Sequence, residues 1–257
     1  MNEFERTFDL SAEDYDRSRP VYIKELYDDI FRYQSVGPGS NVLEIGMGTG
    51  KATLPILETG CRLTGLEPGQ QLAALAKEKF QGYKKIFICQ QTLQEYTGTD
   101  GTFDVVYAAT AFHWLPESYG YRRVYNLLKN GGAFARFAYH AGTDRKRTTL
   151  AEEIQELYKA CLPRTGGFRE YCEADAEQLA GLAANYGFTD TKYHLYSMTK
   201  DFTADEYMIL LRTYPDHMRM EPESRKKLFD GIHSAILKHG GTITVYYTFD
   251  LELARKP

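Results

Sequence analysis

A glycine-rich turn directly after the first predicted strand constrains the fold of this 257-residue chain more than any other feature. The apolar run VLEI at residues 42–45 stops on GMGTG at residues 46–50. Glycines here let the backbone turn sharply and approach a ligand with no Cβ in the way. The dinucleotide fingerprint G-x-G-x-x-G would need a glycine where Lys51 stands, so the spacing is G-x-G-x-G instead.

An acidic residue, Glu67, ends the second predicted strand, 21 residues after Gly46. A carboxylate at this point can accept hydrogen bonds from the two ribose hydroxyls of a nucleoside. The preceding strand, the glycine turn, the helix after it and this acid together favour a nucleoside-type ligand over a purely structural turn.

The rest of the chain alternates short apolar strands with helices, which predicts a parallel sheet covered on both faces. Five strands are predicted at residues 42–45, 63–67, 85–89, 103–109 and 133–139. Two later strands, at 192–197 and 242–253, are separated by amphipathic segments at 204–214 and 222–239. That block is too long for a sheet crossover, so we predict an α/β domain with a helical cap.

Proline residues affect the prediction of two helices. Pro20 suits a first helical position and precedes an apolar stripe that includes Ile23 and Ile30, so a helix is expected from there to the Gly37 breaker cluster. Residues 51–58 also have a helical pattern, although Pro55 disfavours a helix interior.

Composition excludes several classes of protein. With 31 basic and 35 acidic residues, the net charge of −4 does not fit a protein held to nucleic acid by phosphate contacts. The four cysteines are scattered without metal-ligand spacing, which predicts reduced thiols, a cytoplasmic location and no metal. No apolar run approaches the roughly 18 residues of a membrane span, and the acidic N-terminus has no signal-peptide core, so no membrane partner is expected.

These motifs resemble the class I S-adenosylmethionine-dependent methyltransferases. VLEIGMGTG at 42–50 is similar to their first motif, and GLEP at 65–68 to the acidic end of their second strand. FDVVYAATAFHW at 103–114 and LLKNGGAFARF at 127–137 resemble their fourth and fifth strands. The His-Trp pair and YDRSRP at 15–20 resemble the small-molecule (type 11) branch, which includes the trans-aconitate and ubiquinone/menaquinone methyltransferases. LLRTYP at 210–215 and LELARK at 251–256 resemble the C-terminal part of the same family more weakly.

The resemblance implies an architecture. It is a Rossmann-like seven-stranded, mostly parallel sheet with helices on both faces and a helical cap inserted before the last strand. We expect a single methyltransferase domain over residues 1–257. Its cofactor-binding core would span about 36–140, with cap elements at about 1–34, 142–172 and 203–240.

The resemblance also implies which residues bind S-adenosylmethionine. Gly46, Gly48, Thr49 and Gly50 would hold its methionine part, with Glu44 beneath the amino end. Glu67 would take the ribose hydroxyls, with Pro68 and Leu72 near the adenine. Thr92 and Leu93 stand where many relatives carry an acid for the adenine amino group. Ala109 and Thr110 would close the pocket behind the sulfonium, and Tyr15 and Arg19 would fold over the cofactor and meet its carboxylate.

Candidates for chemistry and for acceptor binding are fewer. His113 is the candidate base, because the end of the fourth strand opens towards the cofactor and imidazole titrates near neutrality. A histidine that only packs there is an equal alternative. Trp114, Tyr207, Arg212 and Tyr214 are candidate contacts of a small, partly apolar acceptor. For Arg212 and Tyr214 the competing interpretation is a solvated helix end.

The favoured function is methyl transfer by in-line displacement to a small molecule. One alternative is a methyltransferase acting on RNA or protein, although the segment at 109–114 lacks an Asn/Asp-Pro-Pro-aromatic pocket for a flipped base. Another is a module that binds S-adenosylmethionine or S-adenosylhomocysteine without catalysis, because its cofactor motifs would look identical. An NAD-dependent oxidoreductase is disfavoured by the missing third glycine of the dinucleotide fingerprint.

Overall fold

The computed structural model of the protein describes residues 12–142, 144–162 and 169–257. Parts of two predicted cap elements, at residues 1–11, 143 and 163–168, lie outside the described residues.

Seven strands form one sheet in the order β3-β2-β1-β4-β5-β7-β6. They are β1 (Asn41–Ile45), β2 (Arg62–Leu66), β3 (Ile86–Cys89), β4 (Phe103–Ala109), β5 (Leu128–Gly142), β6 (Thr189–Thr203) and β7 (Thr242–Arg255). The first five strands pair in parallel, and β7 runs antiparallel to both β5 and β6. The predicted mostly parallel, Rossmann-like sheet is therefore confirmed.

Ten α-helices are found within the described residues. They are α1 (Ala12–Ser18), α2 (Lys24–Tyr33), α3 (Leu54–Leu57), α4 (Gln70–Lys79), α5 (Glu117–Leu127), α6 (Thr148–Cys161), α7 (Glu173–Leu182), α8 (Ala204–Arg212), α9 (Pro215–Met218) and α10 (Pro222–Lys238). Short 3₁₀ helices cover Phe112–Trp114 and Ala183–Tyr186. Helices α8 to α10 stand between β6 and β7, where the cap insertion was predicted.

Two apolar clusters cover the two faces of the sheet. One face buries Leu26 and Ile30 of α2, together with Leu211 of α8 and Ile232 of α10. The other face buries Val124 of α5 with neighbours from the strands and the second 3₁₀ helix. Because both faces are covered, the central strands read as continuous apolar runs. No helix in the described part of the chain is long and apolar enough to cross a membrane.

Two helix starts differ from the prediction. The helix expected from Pro20 begins at Lys24, after an Ile23 in extended conformation. The intervening segment carries Tyr22 towards Thr110, so tertiary contacts hold it out of the helix. The helix expected at 51–58 is only Leu54–Leu57, because Pro55 is tolerated only in a first helical turn.

Candidate functional site

The glycine loop after β1 uses backbone conformations that L side chains rarely adopt. Gly46, Gly48 and Gly50 have φ of +67°, +58° and +77°. A Cβ on Gly46 would stand 2.5 Å from Ala111 Cβ, and one on Gly50 would stand 2.2 Å from the Phe80 ring. At Gly48 nothing lies within 4 Å of such a Cβ. The first and third glycines thus serve packing, while Gly48 keeps a space open above the loop.

That space is a cavity of about 220 Å³ at the carboxyl ends of β1, β2 and β4. Ligands of open α/β sheets bind outside this edge of the strands. The predicted site residues that line it are Tyr15, Arg19, Gly46, Gly48, Glu67, Pro68, Leu72, Thr92, Leu93, Ala109, Thr110, His113, Trp114 and Tyr214. Residues far apart in the chain therefore converge on one cavity.

Glu67 lies at the end of β2, opposite the glycine loop. Its Oε2 accepts a hydrogen bond of 2.7 Å from the Gly48 N–H, and its Oε1 accepts one of 2.8 Å from the Gly69 N–H. The residue is 6% exposed and lines the cavity. These two backbone bonds orient the carboxylate at the edge of the cavity.

Arg19 is a buried cation that lines the same cavity. Its Nε and Nη2 donate to the Thr213 hydroxyl and carbonyl at 2.9 and 2.7 Å, and its Nη1 donates to the Tyr139 hydroxyl at 2.9 Å. The guanidinium carbon lies 4.2 Å from the Tyr214 ring centroid and 5.3 Å from that of Tyr15. No carboxylate pairs with it among the described residues, and two of its five N–H groups remain. A bound anion would compensate this charge.

Glu44 lies beneath the loop and does not line the cavity. Its Oε2 accepts hydrogen bonds from Thr53 Oγ1 at 2.6 Å and from the Tyr107 hydroxyl at 2.7 Å. Its Oε1 is buried without a partner among the described residues. Burial raises the pKa of this carboxyl to about 7. An unpartnered carboxylate oxygen below the predicted amino end suits a cationic group above it.

Thr110 directly follows β4 and has a left-handed conformation, with φ of +51°. Its N–H donates to the Phe137 carbonyl at 2.8 Å, and its hydroxyl lies 2.6 Å from the Tyr22 hydroxyl. These two bonds hold a conformation that non-glycine residues seldom adopt. Tyr22 was missed from the sequence because its segment was predicted as helix.

His113 and Trp114 follow on the 3₁₀ helix after β4, and both line the cavity. The concave wall crowds the His113 imidazole, although more than a third of the residue stays exposed. This desolvation, with the charges of Arg136 and His140, lowers the pKa of His113 to about 4. The ring is therefore neutral at pH 7.

Other predicted residues lie outside this cavity. Thr49 is buried and donates from its hydroxyl to Asp16 Oδ1 at 2.5 Å, which ties the loop to α1. Tyr207 lines a second cavity under the cap, which Tyr214 also borders. Arg212 is exposed and borders neither cavity, because α8 turns Leu210 and Leu211 into the core. The interpretation of Arg212 as a solvated helix end is therefore the one that fits.

The fold and the site together define the class of protein: a Rossmann-like α/β protein with a nucleoside-type cavity at its glycine loop. Comparison with known proteins identifies the family within this class. The methyltransferase-domain family matches residues 42–132. An uncharacterized methyltransferase of Geobacillus sp. strain WCH70 is 31% identical over 196 residues, 74% of this chain and 89% of the relative. One of Schizosaccharomyces pombe is 24% identical over 225 residues, 87% of this chain and 84% of the relative.

A solved structure shares the fold. The phosphoethanolamine N-methyltransferase 2 of Haemonchus contortus, bound to phosphomonomethylethanolamine and S-adenosylhomocysteine, matches with a TM-score of 0.56 at 17% identity. The match covers 100% of this chain and 61% of that one. The chain belongs to the class I S-adenosylmethionine-dependent methyltransferases and is an enzyme of that family.

The residues present fit this cofactor. Gly48 leaves space where any Cβ would intrude, Arg19 offers donors to a carboxylate, and the unpartnered Oε1 of Glu44 lies below the loop. Within the described residues, no three His, Cys, Asp or Glu side chains are grouped so as to hold a metal ion.

Proposed function

We propose that this enzyme transfers the methyl group of S-adenosylmethionine to a small molecule by in-line displacement, in the cytoplasm and without a metal. The observation that carries the proposal is the aromatic wall of the cofactor cavity. Arg19 from the N-terminal segment contacts Tyr15 of the same segment and Tyr214 from the cap, and all three line the cavity. Such an aromatic wall suits a small, partly apolar acceptor.

Bound S-adenosylmethionine supplies a methyl group that its positive sulfur already activates. The protein's task is to orient the reactants, and orientation alone contributes roughly 7–11 kcal/mol to such a step. Glu67 and Arg19 would hold the two ends of the cofactor, while Tyr15 and Tyr214 exclude water. His113, neutral at pH 7, can accept a hydrogen bond or a proton from the acceptor at the cavity.

The basic run at residues 145–147 gives the nucleic-acid alternative little support. The Arg145 guanidinium pairs with Glu170 at 2.7 Å and lies over the Tyr246 ring. Arg147 donates to the carbonyl and hydroxyl of Thr242. Two of the three basic side chains are therefore engaged within the protein.

Tritium transfer tests the proposal. The enzyme is incubated with S-adenosyl-L-[methyl-³H]methionine and a cell extract separated into small-molecule, tRNA and protein fractions. We expect label in the small-molecule fraction, and none with Gly48→Val. Label in tRNA or protein, lost when residues 145–147 are neutralised, would establish the macromolecular alternative. Binding of S-adenosylhomocysteine with no label in any fraction would establish the non-catalytic one.

A further inference from the structure

A second cavity lies under the cap, on the face of the sheet that carries α6 and α8. Its volume is about 370 Å³, larger than that of the cofactor cavity. Its apolar wall includes Ala151 and Ile154 of α6, Leu211 of α8, and Ile243 and Val245 of β7. The cavity therefore lies between α6, the cap helix α8 and the last strand of the sheet.

Tyr214 lines both cavities, so the two cavities are neighbours at this residue. Its ring stacks over the Arg19 guanidinium on the cofactor side. A molecule in the cap cavity would thus lie next to the cofactor cavity, with access past Tyr214.

Three tyrosine hydroxyls gather at this boundary without a hydrogen-bond partner among the described residues. Tyr247 is 1% exposed and its hydroxyl is fully buried and unpaired. Tyr207 and Tyr214 also make no hydroxyl bond within the described part of the chain, and both line the cap cavity. Tyr207 and Tyr214 are partly buried and line the cavity, so their hydroxyls are available to a ligand there. Tyr247 does not line the cavity.

The charges around these hydroxyls define which ligand group suits them. Burial raises the pKa of Tyr207 and Tyr247, and raises that of Tyr214 to about 12, so all three remain protonated donors. Arg19 adds positive charge on the far side of Tyr214. The buried Asp144 carboxylate is occupied by the N–H groups of Lys146, Arg147 and Thr244. Lys159 and Asp216 also line the cavity and carry opposite charges, so the hydroxyl donors and Arg19 decide in favour of an oxygen acceptor over an ammonium group.

We propose that the cap cavity binds the methyl acceptor, as a largely apolar small molecule whose carbonyl or carboxylate oxygen accepts hydrogen bonds from Tyr207 and Tyr214. Its reactive end reaches past Tyr214 into the cofactor cavity. This inference rests on the proposed small-molecule methyl transfer and names the acceptor's chemical class.

Three probes with the same apolar body test this class by saturation-transfer NMR with S-adenosylhomocysteine present. They are 4-phenylbutyrate, 4-phenylbutan-2-one and 4-phenylbutylamine. We expect the two oxygen-bearing probes to bind at least 10-fold more tightly than the amine. Ala151→Phe, or Ala141→Leu if the first variant does not fold, fills the cavity and should reduce probe affinity at least 10-fold. Tyr125→Phe, on the other face of the sheet, is the control and should change nothing.

Stability supplies a second, independent readout. Tyr207→Phe removes a hydroxyl that lines the cavity and has no partner among the described residues, so we expect the Tm of the ligand-free protein to change by less than about 2 °C. The same variant should bind 4-phenylbutyrate several-fold more weakly. A larger fall in Tm would show that the hydroxyl has a structural role and would overturn its assignment to a ligand.

Failure of this inference is distinguishable from failure of the proposed function. Calorimetry with S-adenosylhomocysteine on the same samples reports the cofactor site alone. If that ligand binds but no probe does, or if the cavity-filling variant binds probes normally, the cap cavity is not the acceptor site. Equal binding of the amine and the carboxylate would overturn the oxygen-acceptor class. If the probes behave as expected and tritium transfer to small molecules fails, the cavity assignment stands and the methyl-transfer proposal fails.

Discussion

Gly48→Val should block the cofactor site while leaving the protein folded. Gly48 has φ of +58° and lines the cofactor cavity, and an added Cβ there meets no atom within 4 Å. The backbone conformation costs a non-glycine residue about 1–2 kcal/mol, which lowers Tm by about 2–8 °C in a chain of this size. The variant should therefore fold but have its cofactor space occupied.

Gly101→Val is the matched control. Gly101 has φ of +65°, also has nothing within 4 Å of an added Cβ, and lies at an exposed turn before β4. Its substitution imposes the same backbone strain away from the cavity. Both variants should lose similar stability, so any difference in ligand binding comes from the cavity.

The assay is thermal unfolding with and without S-adenosylhomocysteine. At 100 times its Kd, a ligand that binds only the folded state stabilises it by about 2.7 kcal/mol, or roughly 5–10 °C for a chain of this length. We expect this shift in the wild-type enzyme and in Gly101→Val, and none in Gly48→Val. A full shift in Gly48→Val would refute the placement of the cofactor above the loop.

Three further predictions concern titration and charge. Arg19→Lys keeps the charge but loses the planar fork of donors, so calorimetry should show about 10-fold weaker binding of S-adenosylhomocysteine. Binding of 5′-methylthioadenosine, which has no carboxylate, should not change. An equal loss of affinity for both ligands would contradict this role of Arg19. The Glu44 pKa is raised from 4.5 to about 7 in the folded state, so its stabilising contribution is full below pH 4.5 and is lost as the pH rises through 7. Urea unfolding should give lower stability at pH 8 than at pH 6, by about 1 kcal/mol, and Glu44→Gln should remove the difference. The His113 pKa is lowered from 6.5 to about 4, so its contribution to stability should be full above pH 6.5 and should decline towards pH 4. If His113→Gln shows the same decline, another group is responsible for the pH dependence.

Local chemistry made much of the cofactor cavity predictable from the sequence. Gly46 and Gly48 follow a buried strand, and Glu67 ends the next one, so turn chemistry and strand ends locate all three. In a parallel sheet these ends meet at one edge, and the structure brings them together there. The strand pattern of alternating apolar runs and helices likewise predicted the sheet.

Tertiary packing decided what the sequence could not show. Residues 20–23 have helical spacing, but the Tyr22 bond to Thr110 and the Arg19 bonds to Thr213 hold the segment extended. Arg212 and Tyr207 both stand on α8, yet only Tyr207 faces a cavity, because packing of the helix against the core sets its rotation. The unpaired hydroxyl of Tyr247 has no sequence signature, since pairing depends on neighbours distant in the chain.

Fluorescence of Trp114 tests the cofactor assignment most directly, because it is the single tryptophan of the chain and lines the cavity. Titration with S-adenosylhomocysteine should change its emission along a one-site curve that matches the calorimetric isotherm, and NADH should have no effect. Binding heat without any change in Trp114 emission would place the cofactor elsewhere. A response to NADH but not to S-adenosylhomocysteine would contradict the account of this site.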